Sequence, residues 1–134
     1  MADAQQAVVF RSKVRAGDLV AVRKMLQAGV DFTQPGKTLR EWTPLHTAAW
    51  GTTKPQNDRD IVEALLTAAH KSGKGKEEAL RSAKDAKDGS TPLDLARERR
   101  EALGAGAAEE GEEGREKRKV DRIIEWLEKG VLAG

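Results

Sequence analysis

The sequence predicts an all-α solenoid in which three antiparallel helix pairs stack side by side and turns project between them. Three observations predict it. Thr-Pro-Leu occurs twice, at Thr43-Pro44-Leu45-His46 and Thr91-Pro92-Leu93-Asp94, each time opening a helix-like apolar pattern. Apolar triplets at i, i+3, i+4 recur as Val22-Met25-Leu26, Val62-Leu65-Leu66 and Ile123-Trp126-Leu127, a spacing that puts three side chains on one helix face. A small residue, Gly29, Ala69 or Gly130, follows each triplet by three places, where a helix ends most readily on glycine. Self-similarity on this scale is the mark of stacked supersecondary units that hide their apolar faces against one another.

The elements follow in chain order. A first helix covers about 6–16 and stops near Gly17-Asp18, where the next begins. Linker 31–41 contains Pro35-Gly36 and reads as a turn. Thr43 can cap the free amides of a new helix, and Pro44 suits its first turn. That helix ends before Thr52–Asp58, and its partner carries Val62-Leu65-Leu66. Because Ala69 takes the left-handed conformation less readily than glycine, this partner runs on toward Ser72-Gly73. Linker 71–90, with Gly73, Gly75 and Asp88-Gly89, reads as loops or hairpin-like turns. Thr91-Pro92 opens the third pair. Its two helices are separated by a Gly/Ala/Glu-rich insertion, 104–118, whose composition favours solvation over packing. Burial between pairs is expected at Leu45, Ala48, Ala49, Val62, Leu65, Leu66, Leu93, Leu95, Ala96, Ile123 and Leu127.

Composition narrows the function. The 134 residues suit one domain or a short array, and with 34% charged residues the chain is too polar for one large core. The net charge of +2 is spread along the chain, unlike the patch of a nucleic-acid binder. The absence of Cys excludes disulfides, thiolate metal sites and Cys nucleophiles. Residues 1–6 lack the basic start and apolar core of a secretory signal, and no stretch is apolar for long enough to span a bilayer. An intracellular, cytoplasmic protein is expected, with nucleus or organelle left open and no membrane partner.

With these residues in view, the chain resembles the ankyrin repeat family. Trp42-Thr43-Pro44-Leu45-His46-Thr47-Ala48-Ala49-Trp50-Gly51 contains the family's Thr-Pro-Leu-His-x-Ala-Ala core, and Ile61 to Leu66 looks like its second helix. Lys87 to Ala96 is similar to the next repeat's turn and first helix, and Gly17 to Asp31 resembles the second half of a leading repeat. The resemblance implies one domain over 1–134, with repeats at about 6–31, 38–70 and 86–130. Two departures stand out. Thr43 and Thr91 lie 91 − 43 = 48 positions apart, against about 33 per repeat. The first repeat has Val8-Val9-Phe10-Arg11 where Thr-Pro-Leu-His would stand, as a terminal repeat tends to.

The resemblance implies partner contacts at the projecting turns and on the exposed surface of the first helices. Trp42 and Trp50 occupy such positions, and Trp supplies a large contact area and an indole donor. The competing reading packs each Trp on an adjacent atypical turn. Leu39, Arg40, Lys87, Asp88 and Ser90 match turn-tip positions; Arg15, Ala16, Glu98 and Arg99 match first-helix positions. Trp126 lies within an apolar triplet and is assigned to the core. By resemblance, His46 makes a structural hydrogen bond in the turn. Two isolated His, the other being His70, do not make a zinc site.

The expected function is non-catalytic capture of another protein, with no cofactor and no metal. Ser12, Ser72, Ser82 and Ser90 lie in no nucleophile motif. Gly73-Lys74-Gly75-Lys76 lacks phosphate-loop spacing. Glu109, Glu110, Glu112 and Glu113 have nothing around them that would desolvate one as an acid or base. Lys71, Lys74, Lys76, Arg81, Lys84 and Lys87, and the run Arg115 to Lys119, could touch phosphates, but glutamates dilute them and no aromatics interleave, so nucleic acid is disfavoured. The alternative is a structural subunit of a multi-subunit complex, gripping through its inserted segments.

Overall fold

The computed structural model describes residues 2–36, 41–104 and 111–130. Among them the chain is helical, with no strand: α1 Ala2–Arg15, α2 Leu19–Gln27, α3 Pro44–Trp50, α4 Asp58–Ser72, α5 Lys74–Ser82, α6 Pro92–Ala102 and α7 Glu112–Lys129. Three pairs form, α1 with α2, α3 with α4 and α6 with α7. The first helices pack in the order α1, α3, α6 and the second helices in the order α2, α4, α7. The result is a two-layer helical stack, as the sequence predicts.

Local chemistry sets the boundaries. The hydroxyls of Thr43 and Thr91 accept from the backbone N–H of His46 (3.3 Å) and Asp94 (3.2 Å). The side chains of His46 and Asp94 accept in return from the backbone N–H of Thr43 and Thr91, completing two capping boxes with Pro next in line. Asp18 caps α2 through Ala21 N–H at 3.1 Å. Gly17 (φ 70°) and Gly29 (φ 87°) end α1 and α2. In each case the residue after the glycine donates back to Lys13 or Met25, which satisfies carbonyls that the helix leaves open. As expected, α4 runs to Ser72.

The core contains ten of the eleven residues assigned to it from the sequence, and Leu93 is partly buried against it. Trp126 also packs partly buried against the core. Phe10, Val14 and Val22 extend the core into the first repeat.

Two expectations are corrected. Linker 71–90 is not only loop, because α5 occupies Lys74–Ser82. Its Leu80 is 3% exposed and belongs to the core. Its Glu77 meets His70 Nδ1 at 3.1 Å, and Arg81 donates to the carbonyls of Leu127 (3.2 Å) and Glu128 (3.1 Å). These contacts tie the ends of α4 and α7 together, and burial of Leu80 outweighs the helix-breaking tendency of Gly75. The insertion assigned to 104–118 is also shorter, since α7 begins at Glu112 and takes up Arg115 to Lys119. Its residues 105–110 lie outside the described residues.

Candidate functional site

The capping box of α3 also sets the site. Once His46 Nδ1 accepts from Thr43, its Nε2 is the donor, and it lies 2.9 Å from the carbonyl of Ser90. This bond ties the second repeat to the turn ahead of the third. Burial pushes the His46 pKa below its usual range, only partly offset by the Ser90 carbonyl and the Asp85 charge, so the ring is held neutral. In the corresponding place of the first repeat, Arg11 donates to the carbonyl of Gln34. The residue type differs, but the bridge to the following turn is kept.

Asp85 organises that turn. It is buried, and its Oδ1 accepts from the backbone N–H of Asp88 (2.8 Å) and Ser90 (3.2 Å). Its Oδ2 accepts from the indole N–H of Trp42 at 3.1 Å. Trp42 is half-buried and stacks on His46, with ring centroids 6.4 Å apart and planes 13° from parallel. Glu41, just before it, takes a left-handed backbone (φ 50°) that aims the chain into this arrangement. Trp50, at the end of α3, lies 6.1 Å from Trp42, its plane tilted by 60°. Trp50 is 43% exposed. The two indoles form one aromatic patch, Trp42 anchored in the turn and Trp50 open to solvent.

The other sequence-predicted positions divide. Arg15, Lys87, Asp88 and Glu98 are exposed. Ser90 is partly buried, and both its N–H and its carbonyl are engaged within the turn. Leu39 and Arg40 lie outside the described residues. Arg99 corrects its assignment to the open surface: its side chain is 14% exposed and lies 2.9 Å from Asp58 and 3.5 Å from Glu116. Asp58 is fully buried and accepts from the backbone N–H and hydroxyl of Thr52. Burial raises the Asp58 carboxyl above its ordinary range, with Thr52 and Arg99 offsetting only part of the cost. This cluster holds the Thr52–Asp58 turn against α6, and Gly51 ahead of it takes a backbone (φ 131°) that residues with side chains rarely adopt.

Sequence reasoning missed Val8, which is 57% exposed on α1. It shares a helical stripe with Ser12 and Arg15, four and seven residues on. A concavity of about 940 Å³ lies between α2 and α4 and is lined in part by Arg23, Leu26, Phe32, Glu63, Ala68 and Lys71. Charges of both signs line it, which favours no single ligand class. Among the described residues no group of His, Asp and Glu could hold a metal ion, and no helix is long and apolar enough to cross a membrane.

The ankyrin repeat family model matches residues 40–72, the stretch that holds Trp42, the α3 capping box, Trp50 and most of α4. The comparisons with curated proteins and with solved structures found no match.

Proposed function

Because this chain is an ankyrin repeat protein, we propose that it is a non-catalytic protein-binding module that captures a partner on the concave face formed by its first helices and turn tips. One observation carries this reading: Trp50, a large aromatic side chain 43% exposed, adjoins a second indole fixed at the turn tip. Exposed aromatics backed by a rigid support make efficient contact anchors, because little side-chain freedom is lost on binding. Exposed Arg15, Lys87, Asp88 and Glu98 supply a polar rim of the kind that surrounds such anchors.

Trp50→Ala is the informative substitution, since Trp42 also supports the fold through Asp85. The variant should keep its helical circular dichroism and thermal midpoint and lose partner capture from native lysate. Capture that is indifferent to Trp50 would sink the reading. The other reading, a subunit gripping through its insertions, gains little support from α5, whose Glu77, Leu80 and Arg81 are all engaged within the chain.

A further inference from the structure

Resting on the first-helix face as the partner surface, we infer that the protein segment captured there is charge-polar, with an acidic side chain against Arg15, an apolar one against Trp50 and a basic one against Glu98. These three residues hold equivalent places. Each lies four positions after the corresponding residue of its helix: Arg11, which bridges to Gln34, His46, which caps Thr43 and bridges to Ser90, and Asp94, which caps Thr91. Because α1, α3 and α6 pack side by side in that order, the three form one row across the stack, with about 8–10 Å from one helix axis to the next. All three are exposed. Among the described residues the side chains of Arg15 and Glu98 have no ion-pair or hydrogen-bond partner. The row therefore reads cation, indole, anion.

The surroundings continue each end with the same sign. Thr53 donates its N–H to the Arg15 carbonyl at 3.0 Å, which sets the exposed Lys54 near the end of α1. Asp18, the acid that follows α1, is engaged as the cap of α2. At the other end every cation of α6 is engaged: Arg97 by Glu128 (3.5 Å), Arg99 by Asp58 (2.9 Å) and Glu116 (3.5 Å), and Arg100 by Asp121 (2.7 Å). The exposed carboxylates of Glu98 and Glu101 are thus left unopposed. At the turn tips Glu41 and Asp88 stand against Lys84 and Lys87, so the tips select neither sign. A segment of uniform charge would be attracted at one end of the row and repelled at the other, whereas one of mixed charge is attracted at both.

A helix presents the same face every seven residues, a rise of about 10.5 Å, which matches the spacing of the row. The probes are therefore blocked helical peptides of alanine and glutamine that carry three other residues at seven-residue intervals. The first carries glutamate, leucine and arginine; the second glutamate, leucine and glutamate; the third arginine, leucine and arginine. Binding is followed by NMR through the indole N–H signals of the isotopically labelled chain. The mixed peptide should shift the Trp50 signal saturably, leave that of Trp126 in place, and bind roughly two- to thirty-fold tighter than either uniform peptide. Arg15→Glu should make the arginine–leucine–arginine peptide the tightest of the three, and Glu98→Arg the glutamate–leucine–glutamate peptide. The two changes together should restore the preference for the mixed peptide, because a helix can lie across the row in either direction. Equal binding of the three peptides, no saturable shift at Trp50, or a double variant that behaves as either single one would overturn the charge order. If capture from lysate still depends on Trp50, only that order fails; if it does not, the surface reading fails as well.

Discussion

Replacing Asp58 with alanine removes the acceptor at the centre of the Thr52–Asp58 turn. Its Oδ1 accepts from the Thr52 backbone N–H at 3.2 Å and from the Thr52 hydroxyl, and Oδ2 lies 2.9 Å from Arg99 Nη2. Leaving the partner of a buried ion pair alone costs about 3–5 kcal/mol. An orphaned buried donor such as the Thr52 N–H costs about 1–3 kcal/mol. Two features reduce the total: Arg99 is 14% exposed, and Glu116 lies 3.5 Å away as a second acceptor. A loss of about 3 kcal/mol is expected. At about 2.1 cal/mol/K of unfolding entropy per residue, that lowers the thermal midpoint by roughly 10 °C.

Urea and thermal unfolding followed by circular dichroism measure the loss directly. The pH dependence has a defined sign. The Asp58 pKa is raised in the folded state, so its contribution is fully present below about 3.8 and is lost as pH rises through the raised value. At neutral pH the ionised carboxylate is therefore held at a cost, which the Thr52 hydrogen bonds and the Arg99 charge offset in part. Asp58→Ala combined with Arg99→Ala should then cost less than the two single changes added together, by about 1 kcal/mol or more. A loss below about 1 kcal/mol for the single variant, or strict additivity in the double, would refute the reasoning.

Two further outcomes follow from the capping groups and the turns. The His46 pKa is depressed in the folded state, so its contribution is present above about 6.5 and is lost as pH falls through the depressed value. The wild-type chain should lose stability between pH 7.5 and 5.5 by at most about 1.4 kcal/mol per pH unit from this group, and His46→Asn should lack that part of the slope in urea titrations. Gly17→Ala should destabilise more than Gly29→Ala, although both backbones are left-handed. An added Cβ at Gly17 would lie 2.7 Å from Lys54 Cβ, whereas at Gly29 it meets nothing within 4 Å. The thermal midpoints should therefore separate, with Gly29→Ala costing about 1 kcal/mol.

The sequence by itself determined the helix pairs and their caps, because the signals are local. Thr43-Pro44 and Thr91-Pro92 start their helices wherever the chain lies, and Gly17 and Gly29 can end theirs without help from distant residues. The apolar triplets likewise fixed which faces are buried, since a three-to-four spacing has one geometric meaning on a helix. Only the tertiary structure decided the rest. The residues of α5 read as a linker, and the helix is held by Leu80 in a core and Arg81 on the end of α7, partners far away in sequence. Arg99 looked like surface until folding brought it to Asp58, 41 residues earlier (99 − 58 = 41), where burial made pairing obligatory. The asymmetry of the two indoles is also tertiary: Asp85 reaches the Trp42 N–H across the turn and leaves Trp50 open, which no local pattern could have told.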